Sequence, residues 1–151
     1  MIKSLKLRTF LFGFAVSLIL FSLFFILHYK TTIENYNKTF LSSAIKLSSA
    51  RSDFIAVHLW NLNNEEISTI SKNLLTDPTF CGIKIIDENK GIYFQNGRFE
   101  NSDIKINPQP IIETDYNIYV RSDINYKLGD ELKKIGEAIF CFTKKQQIIE
   151  T

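Results

Sequence analysis

The chain has 151 residues, 23% of them charged and 45% apolar, with a formal net charge of +2. That composition is ordinary for a folded protein and excludes a disordered chain. The charge balance also argues against nucleic-acid binding: from Thr31 onward there are 14 basic and 16 acidic residues, with no basic excess to hold phosphates.

The apolar residues are concentrated at the start. From Thr9 to Tyr29 no Asp, Glu, Lys or Arg occurs, and most positions are Leu, Ile, Val or Phe. As a helix at about 1.5 Å per residue this stretch spans roughly 31 Å, the hydrocarbon thickness of a bilayer. A core helix of that length would show a polar face, and this one has none. Lys3, Lys6 and Arg8 precede it without an acid, whereas Lys30, Glu34 and Lys38 follow it. The positive-inside bias therefore predicts a cytoplasmic N-terminus and an exported remainder. A cleaved signal peptide is the competing reading. Its apolar region is shorter and ends in a small-x-small site, whereas this one exits through Phe25-Ile26-Leu27-His28-Tyr29. The expected organisation is a cytoplasmic segment (1–8), a transmembrane helix (9–29), a long helix (30–59), an α+β domain (60–144) and a C-terminal stub (145–151).

Nothing breaks the helical pattern between Thr31 and Leu59. Ile33, Phe40, Leu47 and Phe54 recur at intervals of seven, with Tyr36, Ala44, Ala50 or Arg51, and Val57 or His58 as less regular partners. Such a stripe suits a helix packed along its length. It is either the seam of a parallel homodimer or the face by which one helix lies on its own sheet.

Trp60-Asn61-Leu62-Asn63-Asn64 ends this helix, and Asn63 with Glu66 has capping-box spacing. A short helix follows to about Leu75, with Ile67, Ile70, Leu74 and Leu75 apolar, closed by Asp77-Pro78. The period then changes to that of strands. Phe80–Ile86 and Ile92–Gln95 read as a hairpin around Asp87-Glu88-Asn89-Lys90-Gly91, and Arg98–Pro110 as an extended polar loop. Asn117–Tyr126 and Ile135–Thr143 read as two further strands. The expected fold is α+β, one antiparallel sheet with the long helix across a face.

Catalytic chemistry has little material. His28 and His58 are the only histidines, no Cys/His set has metal spacing, and no phosphate loop occurs. No cofactor, metal or enzymatic activity is expected. Both histidines read as interfacial or packed residues. Cys81 and Cys141 both fall in the exported part, where an oxidising compartment permits a disulfide. Both sit in strand-like runs, however, and two separately buried free thiols are the plainer reading.

The order of features resembles a known family. Leu59-Trp60-Asn61 leads into a helix ending Thr76-Asp77-Pro78, then the strand Cys81-Gly82-Ile83-Lys84-Ile85-Ile86-Asp87, a turn at Gly91, and Ile92-Tyr93-Phe94. This is similar to the extracytoplasmic sensor region of bacterial transmembrane histidine kinases and diguanylate cyclases, from Ile2 to about Lys144. The resemblance implies a PAS-like or Cache-like sheet backed by the long helix, in the periplasm of an inner-membrane protein. It also implies that the first and last strands are neighbours, which would bring Cys81 and Cys141 together. A small-molecule or protein signal is implied, with Arg51, Trp60, Tyr93, Arg98 and Arg121 as candidate pocket residues. The plainer reading makes Trp60 a core plug and leaves Arg98 and Arg121 solvated. Family members return through a second membrane helix into an output domain. Here the chain stops at Thr151 with no kinase or cyclase motif, which implies a truncated product or an output supplied by another chain. A membrane-anchored assembly subunit of pilin type is the alternative, but Gly13-Phe14-Ala15-Val16-Ser17-Leu18 lacks the glutamate of a prepilin helix.

Overall fold

The computed structural model describes residues 2–89, 91–97, 99 and 110–144. The expected polar loop lies outside these, apart from Phe99 and Pro110, and so does the C-terminal stub. Helix α1 runs without interruption from Ile2 to Trp60. The chain divides into two units, Met1–Ser42 and Ser43–Thr151.

The first unit is helix α1 alone. Its apolar side chains, among them Phe10, Leu18, Phe21 and Ile26, stand exposed, and no part of the window apolar enough to cross a membrane is buried. The helix is compatible with single-pass membrane insertion. A residue set of this kind is stable in water only if something covers it, and hydrocarbon does so without directional contacts. Where polar residues return, the hydroxyls of Thr31 and Thr32 donate to the carbonyls of Leu27 and His28.

The second unit is α+β. Within it α1 buries Ala44, Ser48, Ser52, Ile55, Ala56 and Leu59, a stripe with spacings of three and four. The helix stops in a Schellman arrangement: Asn63 N–H donates to His58 O at 2.9 Å and Leu62 N–H to Leu59 O at 3.1 Å. The left-handed position this requires is filled by Leu62, at φ 54, where glycine is the usual occupant. Asn63 then caps α2 (Asn64–Leu74), its Oδ1 accepting from Glu66 N–H, with Glu65 and Glu66 in the first turn. That half of the capping box agrees with the sequence reading. Helix α2 buries Ile67, Ile70, Ser71 and Leu74. Its end is followed by Asp77, whose carboxylate accepts from the backbone and hydroxyl of Thr79.

Five strands follow: β1 (Phe80–Asp87), β2 (Ile92–Gly97), β3 (Ile111–Glu113), β4 (Asn117–Leu128) and β5 (Glu131–Thr143). They form one antiparallel sheet in the order β2-β1-β5-β4-β3. The first strand lies beside the last. Register sorts the side chains onto two faces, since neighbours along a strand alternate. Ile83 and Ile85 on β1 line up with Phe140 and Ala138 on β5, and Phe140 with Val120 on β4. This face carries the helices: Asn96, paired with Ile83, donates to Ser71 Oγ of α2. At Gly136 the backbone of β1 comes close, and Leu59 of α1 lies just beyond. A Cβ there would stand 2.5 Å from Ile86 O and 3.4 Å from Leu59 Cδ2.

Two differences from the sequence reading concern strands. β4 and β5 extend to Leu128 and back to Glu131, and the added arm is mostly exposed, so Lys127, Lys133 and Lys134 cost nothing there. β3 is three residues long, too short for its alternation to show.

A disulfide joins Cys81 and Cys141 across β1 and β5, with a Cα–Cα distance of 5.2 Å. It closes a chain segment with a sequence separation of 60, and loop-closure entropy for that length corresponds to about 4 kcal/mol. Replacing both cysteines by serine should therefore lower the unfolding free energy by up to about 4 kcal/mol, measured by denaturant titration of the second unit.

Candidate functional site

The face of the sheet away from the helices is divided. Toward the disulfide it is apolar: Tyr119, Ile139 and Cys141 are buried, with Cys81, Ile86, Phe99 and Ile112 packed against them. The Phe99 and Tyr119 rings lie 6.2 Å apart. Tyr119 is almost wholly buried, and its hydroxyl has no hydrogen-bond partner among the described residues. Toward the β4–β5 hairpin the same face is charged.

Register explains the change. Lys84 and Arg121 flank Ile139 on either side, and Ile86 and Asp123 flank Glu137 one row further on. A cavity of about 610 Å³ opens over these rows, lined by Lys84, Ile86, Arg121, Lys134, Gly136 and Glu137, and walled by Asp87, Glu88 and Ile92. That volume suits a small molecule. Both signs of charge and two isoleucines line one hollow.

Glu137 is the centre of the charged rows. Its Oε2 lies 3.3 Å from Arg121 Nη1, and its Oε1 is 2.7 Å from Lys134 Nζ. Lys134 also reaches Asp123 Oδ1 at 2.6 Å. The hydrogen bond it donates to Asp123, then that to Glu137, holds the Lys134 ammonium above the usual lysine value, against a smaller opposing effect of burial. The Arg121 and Glu137 side chains are only 20% and 27% exposed. The arrangement can hold a small polar or zwitterionic molecule against fixed charges, and it offers no nucleophile paired with a base.

The five residues that the family resemblance nominated are not gathered into one pocket. Arg121 lines the cavity. It is also the one residue for which the solvated reading is corrected, because pairing with Glu137 holds it against the sheet. Arg51 is exposed on α1. Trp60 is 39% exposed and therefore not a core plug; its ring stacks on Tyr126 at 4.7 Å and 7°, covering the end of the helix–sheet seam. Tyr93 is half-buried on β2, with its hydroxyl buried and without a hydrogen-bond partner among the described residues. Arg98 lies outside the described residues. Lys84, Lys134 and Glu137 were missed. Their signal is charge at inward-alternating positions of otherwise apolar strands, and it becomes legible only once β1, β5 and β4 are known to be neighbours.

The heptad residues occupy a different face of α1 from the buried stripe. Phe54 is 51% exposed and Val57 47%, with Ile33 and Tyr36 also exposed and Phe40 and Leu47 half-buried. The Phe54 ring meets the His58 ring edge-on at 5.1 Å.

Comparison with family models, with characterised proteins and with solved structures finds no match to this chain.

The lysine at the centre of this network gives a pH prediction. Because its folded-state pKa is raised, the stability Lys134 contributes is complete below the ordinary lysine value of 10.5 and is lost as pH rises through the higher folded value. The side chain is about half exposed, so the contribution is below about 1 kcal/mol. The stability difference between wild type and Lys134→Met should be constant from pH 6 to about 9 and shrink in strong alkali; pH-resolved urea denaturation measures it.

Proposed function

We propose that this chain is the extracytoplasmic sensory module of a membrane-bound signalling protein, without catalytic activity of its own. One observation carries the reading: a single helix, apolar and uncovered over its first unit, continues into the segment that packs on the sheet. Any change in how the sheet holds that segment acts on a helix whose other end is embedded in lipid. The basic residues before the apolar stretch support a cytoplasmic N-terminus and a periplasmic sheet. A disulfide in the sheet agrees with an oxidising compartment.

The resemblance to PAS-like and Cache-like sensor regions is supported by a sheet in which the first strand pairs with the last and a long helix backs one face. The cavity on the opposite face is the place for a small signal molecule, with Arg121 and Glu137 as its fixed charges. Ligand binding there shifts the domain only by favouring one of two arrangements. The exposed stripe of Ile33, Tyr36, Phe54 and Val57 is the seam of a parallel homodimer. Two copies anchored in one membrane meet at high effective concentration, and a seven-residue repeat places each stripe residue against its own counterpart.

Crosslinking tests the arrangement. With Phe54→Cys on the stripe and Ser49→Cys off it, mild oxidation of membranes should give a covalent dimer for Phe54→Cys alone. Equal dimer yields at the two positions, or none at Phe54→Cys, would remove the seam and with it the sensory reading of α1.

A further inference from the structure

The seam between α1 and the sheet is built unevenly. At its Trp60 end Ile55 and Leu59 are buried, Leu59 touches the position that a Gly136 side chain would occupy, and Trp60 stacks on Tyr126. At the other end the fully buried residues are Ala44, Ser48 and Ser52, one line of short side chains at four-residue spacing, with Phe40, Leu41 and Leu47 half-buried beside them. The short side chains bury little apolar area and offer no large knob to lock into the sheet.

Polarity adds to the difference. The hydroxyls of Ser48 and Ser52 are both buried, at 0% and 1% residue exposure, and neither has a hydrogen-bond partner among the described residues. Elsewhere on this helix, hydroxyls turn to the carbonyl four residues back, as in Thr31 and Thr32. A hydroxyl removed from water without a new partner disfavours the arrangement that buries it. This end of the seam thus has no large apolar side chain fully buried, and two unmet polar groups weaken it. The sheet beneath it is stiffened by the Cys81–Cys141 disulfide.

We propose that α1 is a pivot: fixed to the sheet over Ile55–Trp60, and releasable over Ala44–Ser52 while the rest of the domain stays folded. Release gives both hydroxyls water and leaves the helix's own backbone hydrogen bonds intact. The device is independent of the sensory reading, since it rests on packing alone.

Thiol labelling of the full-length protein in membranes tests it, because both native cysteines are disulfide-bonded. Single variants Ser48→Cys, Ser52→Cys, Ala56→Cys and Ala138→Cys are exposed to excess maleimide; Ala138 lies buried in the sheet and reports global unfolding. The thiols at 48 and 52 should label at least tenfold faster than that at 138, with 56 close to 138. Equal rates at all four positions would overturn the pivot, as would faster labelling at 56 than at 48. A second arm uses Ala44→Cys as reporter. Adding Ser48→Ala and Ser52→Ala removes both unmet hydroxyls and should slow labelling at 44 at least fivefold; an unchanged rate would also overturn the proposal.

Discussion

The first unit of α1 presents apolar side chains on every side and buries none of them, and this fixes much of what the rest of the chain can be. A soluble helix solves the same problem by showing one polar face and hiding the other. Here no charge interrupts the run from Thr9 to Tyr29, which is compatible with an apolar surrounding such as a bilayer. The same helix then changes character without a break. Beyond Ser43 it has one buried stripe, set by the sheet, and a separate exposed stripe of Phe54 and Val57. A single element therefore carries an uncovered apolar stretch, a buried stripe and an exposed stripe in turn.

The sheet is correspondingly two-sided. Its helix face is a dry core of Ile83, Ile85, Val120 and Phe140. Its other face grades from the disulfide and Tyr119 to the row of Arg121, Glu137 and Lys134. Pairing β1 with β5 is what creates both features. It places Cys81 beside Cys141, and it assembles charges from three strands over one hollow. The ion pairs there are partly exposed, and pairs of this kind add little to stability. Their main effect is to keep charge in fixed positions over an apolar floor.

Much of this was legible in the sequence, for reasons that differ by element. The apolar span, the helix break at Asn61–Asn63 and the Asn63 cap are written in consecutive residues. So are β1 and the β1–β2 turn, where Asp87 Oδ1 accepts from Gly91 N–H. Features that depend on register were not legible. Arg121 looked like a solvated arginine because its partner Glu137 lies on another strand. Trp60 looked like core because an indole after a helix normally is, yet its cover is one tyrosine, Tyr126, at the end of an expected strand whose place beside the helix depends on the fold. The buried stripe of α1 was hidden by its own composition, since Ala44, Ser48, Ser52 and Ala56 carry no hydrophobic signal while the exposed phenylalanine at 54 does.

The central claim is that the apolar helix stays in lipid with the sheet on the far side of the membrane from Lys3, Lys6 and Arg8. Labelling with a membrane-impermeant maleimide tests this most directly, using Asn89→Cys in the β1–β2 turn and Ser4→Cys before the span. In intact cells with a permeabilised outer membrane, the membrane-bound protein should label at position 89, and at position 4 only after the inner membrane is opened. Labelling at position 4 alone, or recovery of the protein in the soluble fraction, would contradict the account.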